Sequence, residues 1–368
     1  MNRIAILTPH ITTGAAVSSD ALGMRAVLER YGYDARLYAE SWDLPELKIW
    51  PVAEIRDFLK EPDDVLVYHH SIGWEPAFAL LRDIKYRTVV KYHNVTPPAF
   101  FSGVSDWHEE KCRQGQEQLQ EIVRGDCDLF LSDSDYNQQE LLAAGVDESR
   151  SFVVPPFHEI ARMEFLEADL ATLDKYRDDQ TIILSVGRVA PHKGHGDLIE
   201  AFAAYHHDYN RNSRLLVVGR EEDAFEAFSK RLREIMKFLV IEEAIEFMGE
   251  ISDSALRACY LLASVFVCAS EHEGFGLPLV EAMAAKVPIV SYDSAAIPET
   301  VGKAGILIED RDSELMAESI NLLAGDEAVN VALGIEGRSR YERHFTTNSI
   351  EMKFLRALGN LNKRNGGR

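Results

Sequence analysis

The sequence predicts two doubly wound α/β domains, each a mostly parallel sheet with helices on both faces. Three observations carry this reading. First, 368 residues, 46% of them hydrophobic, exceed what one ordinary core holds. Second, short β-branched runs alternate with longer amphipathic stretches, and the pattern runs through the chain twice. Third, several runs are almost continuously apolar, such as TIILSVG, RLLVVG and VFVCAS. Strands of that kind are buried on both faces, as in a parallel sheet.

In the first half the strand candidates are Arg3–Thr8, Ala35–Tyr38, Asp64–His69, Thr88–His93, Leu129–Ser132 and Ser151–Val154. In the second half they are Thr181–Gly187, Arg214–Gly219, Ala244–Met248, Val265–Cys268, Ile289–Tyr292 and Gly305–Ile308. The pattern breaks after Val154-Pro155-Pro156, where a charged, poorly patterned stretch leads to Asp178-Asp179-Gln180. We therefore read residues 1–158 as the first domain and 159–345 as the second. Residues 346–368 are read as a C-terminal helix packing back toward the first domain and ending in a loose tail. Open parallel sheets bind ligands beyond the carboxyl ends of their strands, so two facing sheets predict a deep cleft.

Composition narrows the function. A formal charge of −21 argues against a nucleic-acid partner, which needs a basic footprint. Cys112, Cys127, Cys259 and Cys268 form no CxxC pair and read as reduced thiols. No run approaches the ~20 apolar residues that span a bilayer. The first apolar run is too short for a signal peptide. The expectation is a cytoplasmic protein, with peripheral contact at the inner membrane face left open and the oligomeric state undetermined.

The most informative segment is Ser270-Glu271-His272-Glu273-Gly274-Phe275-Gly276-Leu277-Pro278-Leu279-Val280-Glu281. It leaves a predicted strand and opens a helix, with Pro278 suited to the first turn. Loop N–H groups and the helix dipole make a site for a phosphate-bearing leaving group. Glu273 precedes the loop and Glu281 is placed in the first helical turn. Both carboxylates can accept from sugar hydroxyls. A second segment, Gly187-Arg188-Val189-Ala190-Pro191-His192-Lys193-Gly194, presents two permanent cations beyond a strand end. Fixed cations there stabilise the charge that grows on a departing diphosphate, without a metal.

These two segments resemble the E-x7-E and G-R-x4-K-G patterns of retaining glycosyltransferases of family 4, which have the GT-B fold of two Rossmann-like domains. The resemblance extends over most of the chain and is strongest in the second half. It implies that Glu273 contacts the donor sugar and Glu281 the ribose, with Phe275, Gly276 and Leu277 amides on the diphosphate beside Arg188 and Lys193. Glu246-Phe247-Met248-Gly249-Glu250-Ile251 resembles the family's turn along the nucleotide base, giving Met248, Gly249 and Ile251 to the donor. In the first half, Gly14 stands in a loop that approaches donor phosphate. The usual second glycine is Ala15 here. His93, in KYHNVTPP, resembles the family's active-site histidine. His70, in YHHSIG, is a further candidate.

Two patterns are read as decoys. Asp133-Ser134-Asp135 spells a metal-binding D-x-D but sits where a helix N-cap is expected. His192 and His195 are too few for a closed zinc site. No metal and no cofactor are expected. The resemblance implies a retaining hexosyltransferase, closest to mannosyltransferases of bacterial surface polysaccharides. Its partners are a nucleotide sugar, GDP-mannose before a UDP-hexose, and a glycan or lipid-linked acceptor. The rival readings are another GT-B nucleotide-sugar enzyme, such as an epimerase, and a catalytically silent nucleotide-sugar binder.

Overall fold

The computed structural model describes residues 3–82, 86–177 and 180–363. Asp178-Asp179 of the linker and residues 364–368 of the tail lie outside the described residues. The chain divides into two compact units. One comprises residues 1–99, 107–159 and 347–368, and the other 100–106 and 160–346. The short segment Phe100–Asp106 thus groups with the second unit. There Phe101 stacks on Phe225, ring centroids 5.8 Å apart.

The first unit holds a seven-stranded sheet: β1 Arg3–Leu7, β2 Asp34–Ala39, β3 Ile49–Pro51, β4 Val65–His70, β5 Arg87–Tyr92, β6 Leu129–Ser132 and β7 Ser151–Val153. Their order is β3-β2-β1-β4-β5-β6-β7, with parallel pairing. The edge strand β3 escapes sequence reading because it is three residues long and ends in Pro51. The second unit holds β8 Thr181–Val186, β9 Ser213–Val218, β10 Ile245–Gly249, β11 Ala263–Cys268, β12 Ile289–Tyr292 and β13 Gly305–Ile308. They run β10-β9-β8-β11-β12-β13, again parallel. Both sheets are therefore wound outward from a central pair, β1/β4 and β8/β11. At that pair the chain direction across the sheet reverses, which opens a crevice beyond the strand ends.

The continuous apolar runs have the reason the sequence suggested. In β8, Ile183 joins one core with Leu198, Phe202 and Leu215. Its neighbours Ile182 and Leu184 join another with Phe266, Leu279 and Met283 on the opposite face. Successive side chains point to opposite faces, so a sheet covered on both needs apolar residues throughout. Each such side chain contributes roughly 1.5–3 kcal/mol of burial. The C-terminal helix Thr347–Lys363 places Ile350, Phe354 and Leu358 in the core of the first unit. Phe354 meets Phe157 edge-on at 5.8 Å.

Candidate active site

In the second unit, the two loops singled out by their sequence leave the central pair of strands. Residues 187–194 follow β8 and residues 269–276 follow β11. They lie directly against each other. Glu271 N–H donates to the His192 carbonyl at 2.9 Å. Gly194 has φ +64°, and a Cβ built on it would stand 1.9 Å from the Ala269 carbonyl oxygen. Only glycine fits that backbone conformation and that approach. The contact brings Lys193 Nζ to 2.5 Å from Glu273 Oε1. Arg188 Nη1 lies 3.0 Å from Glu222 Oε1. Both expected cations are thus paired with carboxylates in this structure, Arg188 with one that the sequence reading had not weighed.

Gly276, at φ +85°, starts the helix Leu277–Ala284, with Pro278 in its first turn and no acidic residue there. The first N–H groups of a helix have no i−4 partner, so this helix start carries the positive end of the helix dipole. Glu281 is the fifth residue of that helix, so it opens the second turn rather than lying in the first. Leu277 is its first residue and Pro278 its second, where the missing proline N–H has no intrahelical partner to lose. Glu281 Oε2 accepts from the Tyr260 hydroxyl at 2.7 Å. Burial pushes the Glu281 carboxyl up, and the Tyr260 bond opposes this. Tyr260 carried no signal in the sequence, since it sits in an ordinary apolar helix stretch.

Phe275 is buried against Phe345, and its carbonyl accepts from Thr300 Oγ1 at 2.7 Å. Met248 and Gly249 end β10, with Gly249 at φ +67°, and its carbonyl accepts from Gly219 N–H at 2.9 Å. Ile251 follows and packs on the core that holds Leu279 and Met283. His192 and His195 are buried, and burial drives both imidazoles toward the neutral form, His195 to about 4. His192 lies edge-on to Phe101 at 5.8 Å.

In the first unit the strand ends hold a different arrangement. His93 Nδ1 is 2.8 Å from Asp133 Oδ2, and His93 Nε2 is 2.8 Å from His69 Nδ1. Lys91 Nζ lies 2.6 Å from Asp133 Oδ1 and 3.8 Å from Asp20 Oδ2, and also donates to the Val154 carbonyl. Asp20 Oδ1 accepts from Phe157 N–H at 2.7 Å. Asp133 is therefore not a cap. Ser134 alone caps the helix Asp135–Ala143, accepting from Asn137 N–H at 3.1 Å, while Asp133 turns inward as a counter-ion. Burial alone would raise the Asp133 carboxyl. The charges of His93 and Lys91 outweigh it and hold Asp133 below the usual carboxylate range. Burial dominates at Asp20 and raises it, and it pushes His69 well down.

Asp20, His69 and His93 bring one oxygen and two nitrogens within 4.8 Å of one another. A divalent ion would have to break the His69–His93 hydrogen bond and sit beside the Lys91 ammonium, so the donor set fits a metal poorly. Asp20 and Lys91 were missed in the sequence. The available signal was a lysine inside the apolar run TVVKYH and an aspartate on the apolar face of the helix Ala16–Arg30. His70 turns inward: its Nε2 meets the Gly115 carbonyl at 3.0 Å, and burial lowers its imidazole to about 4. Its Nδ1 lies 3.2 Å from the Tyr68 hydroxyl, so both ring nitrogens have partners inside the unit. Gly14, at φ +71°, lies in the loop before the Ala16–Arg30 helix, whose N-cap Ala15 offers no side-chain bond.

Residues 174–340 match the family model described as "Glycosyl transferases group 1". The chain is 24% identical over 289 residues to the O-antigen chain mannosyltransferase B of Escherichia coli, covering 75% of this chain and 68% of that protein. It is 30% identical over 178 residues to a capsular polysaccharide biosynthesis glycosyltransferase of Staphylococcus aureus, covering 48% of this chain and 45% of that one. A GDP-mannose-dependent phosphatidylinositol monomannoside mannosyltransferase of Mycobacterium tuberculosis is 25% identical over 214 residues, or 52% of this chain and 54% of that one. The chain thus spans about half the length of two of these three relatives. Among solved structures, HepE of Anabaena in complex with UDP-glucose superposes with a TM-score of 0.78 at 18% identity, covering 98% of this chain and 100% of that one. The fold is GT-B. Among the described residues, no helix is long and apolar enough to cross a membrane.

Proposed function

We propose that this chain, which carries a glycosyl transferases group 1 domain over residues 174–340, is a retaining hexosyltransferase. Its donor is a nucleotide sugar, GDP-mannose first, and its acceptor is a hydroxyl of a glycan or lipid-linked glycan. The observation that carries this reading is the convergence of the two loops beyond β8 and β11, with Lys193 Nζ 2.5 Å from Glu273 Oε1. A diphosphate needs cations and N–H donors, and a sugar needs acceptors. Here Lys193 stands beside Glu273, Arg188 lies in the same loop as Lys193, and the Leu277–Ala284 helix carries Glu281.

In this reading the diphosphate oxygens take over Lys193 and Arg188 from Glu273 and Glu222. Negative charge grows on those oxygens as the glycosyl bond breaks, so the cations bind the transition state more tightly than the ground state. Glu273, released from Lys193, accepts from sugar hydroxyls and faces the positive character that develops on the ring. Glu281, held by Tyr260, accepts from the ribose. The leaving diphosphate takes the acceptor proton. No metal is required, since the loop supplies the charge. Mannose is favoured by the E. coli and M. tuberculosis relatives, both named for mannosyl transfer.

The test is incubation with GDP-mannose, UDP-glucose and related donors, with and without lipid-linked glycan acceptors, in EDTA. Acceptor-dependent transfer with the donor's anomeric configuration kept, unaffected by EDTA, is expected. Conversion of the nucleotide sugar without acceptor indicates an epimerase. Binding without turnover indicates a silent binder. Loss of activity in EDTA restored by Mn²⁺ overturns metal independence.

A further inference from the structure

The five-residue cluster around His93 contains more charge than a histidine site needs, and nearly all of it is buried. Asp20 and Lys91 are fully buried, and Asp133 is 5% exposed. Leaving any one of these charges unpaired is costly, so their arrangement is held tightly. Among the described residues, the charged or titratable groups recorded against His93 and its partners come from four elements. Asp20 comes from the Ala16–Arg30 helix, His69 and His70 from β4, Lys91 from β5, and Asp133 from the turn after β6.

We infer that Asp133 is a positioning residue for His93, fixing the ring in one orientation with the Nδ1 proton donated to Asp133 Oδ2, and that Lys91 holds Asp133 in place for that purpose. The inference rests on the reading of His93 as an active-site residue of glycosyl transfer.

The chemistry of a carboxylate explains why an aspartate stands here. Asp133 faces two donors at once, the Lys91 ammonium at 2.6 Å and the His93 ring N–H at 2.8 Å, one on each oxygen. A carboxylate accepts on both oxygens, whereas an amide accepts on one and donates from the other. Lys91 is an obligate donor. It therefore claims one oxygen and leaves the other for His93, which sets the tautomer: Nδ1 must carry a proton. The far nitrogen is also committed, because His93 Nε2 is 2.8 Å from His69 Nδ1. Asp20 Oδ2 lies 3.6 Å from His93 Nε2 and 3.8 Å from Lys91 Nζ, so it adds a negative charge beside both without a hydrogen bond to either. Loss of the Nδ1 proton would leave Asp133 Oδ2 facing a bare ring nitrogen in a buried site. His93 is thus a fixed, oriented group rather than one that shuttles protons through Nδ1.

The test uses the full chain with ring-¹⁵N-labelled histidine, the His93 signals being identified by their loss in His93→Gln. In the wild type the Nδ1 of His93 is expected to bear a proton from pH 6 through 8. An Nε2–H tautomer with bare Nδ1 overturns the inference. Asp133→Asn keeps shape but must turn its NH₂ toward His93 while its oxygen meets Lys91. It is expected to move the proton from Nδ1 to Nε2 and to lower kcat by about 10²-fold, with the donor KM within about twofold. A folded Asp133→Asn with wild-type kcat and unchanged His93 signals overturns it as well. If Asp133→Asn does not fold, the wild-type spectrum decides alone. If the wild type transfers no sugar, the functional reading fails while the tautomer measurement stands.

Discussion

The two units share a strand order and yet use their strand ends in opposite ways. In the first, Asp20, Lys91 and Asp133 are sunk below the surface, with both carboxylates set against the one ammonium. In the second, the side chains of Arg188 and Lys193 keep 39% and 21% of their exposure, each paired with a single carboxylate. A buried network of this kind is permanent, because exchanging any member strands a charge in a poorly solvated place. A pair that keeps some contact with solvent is more readily exchanged, because water or a ligand oxygen can replace the carboxylate at a lower cost. The same topology thus holds one histidine in a buried charge network in the first unit and carries two partly exposed cations in the second.

This contrast breaks most readily on the two lysines. Lys91→Met leaves Asp20 and Asp133 without their ammonium and is expected to destabilise its unit by about 3–5 kcal/mol. Lys193→Met is expected to cost less than about 1 kcal/mol. Calorimetric unfolding compares them, and similar losses would abolish the distinction. In activity the order reverses: Arg188→Ala and Lys193→Ala should each lower turnover by about 10²-fold with the melting temperature little changed. Wild-type rates in both variants would remove the cations from the reaction.

A smaller effect probes the contact that assembles the second site. Gly194→Ala meets both the left-handed backbone and the Ala269 carbonyl, so about 2 kcal/mol of stability should be lost, with activity falling alongside. Gly196→Ala, two residues on in the helix with open space around its Cβ position, should leave stability unchanged or slightly raised. Equal outcomes for the two would show that the loops do not depend on this approach.

Acid should affect both units alike. His70 in the first and His195 in the second are held neutral by burial, each lowered to about 4 from an unfolded value near 6.5. Between those values the unfolded chain binds the proton and the folded chain does not, so stability falls as pH is lowered. From pH 7 to 5.5 the expected loss is about 1 kcal/mol per histidine. Stability that rises on acidification over this range would contradict their burial as neutral rings.

Local patterns were readable where local rules decide the outcome. The long strands appear in the sequence as apolar runs because both faces of each sheet are covered. The loops beyond β8 and β11 stand out because glycines, Pro278 and charges cluster at strand-to-helix junctions. Asp133 was misread because D-S-D before a helix satisfies the capping rule, and only tertiary contact reveals that Ser134 caps while Asp133 pairs with Lys91. Asp20 and Lys91 are 71 residues apart, a separation that no periodicity spans. Glu281 falls just past the first turn because the helix already begins at Leu277, one residue before Pro278.

The central claim is that the loops beyond β8 and β11 hold a nucleoside diphosphate through Arg188 and Lys193. Titration calorimetry of the full chain with GDP, UDP and the corresponding nucleosides tests it most directly. The account predicts that one diphosphate binds the wild type, and that Arg188→Ala and Lys193→Ala each weaken it by about tenfold or more while leaving the much weaker nucleoside affinity unchanged. Diphosphate affinity equal to wild type in both variants, or no binding of either diphosphate, would contradict it.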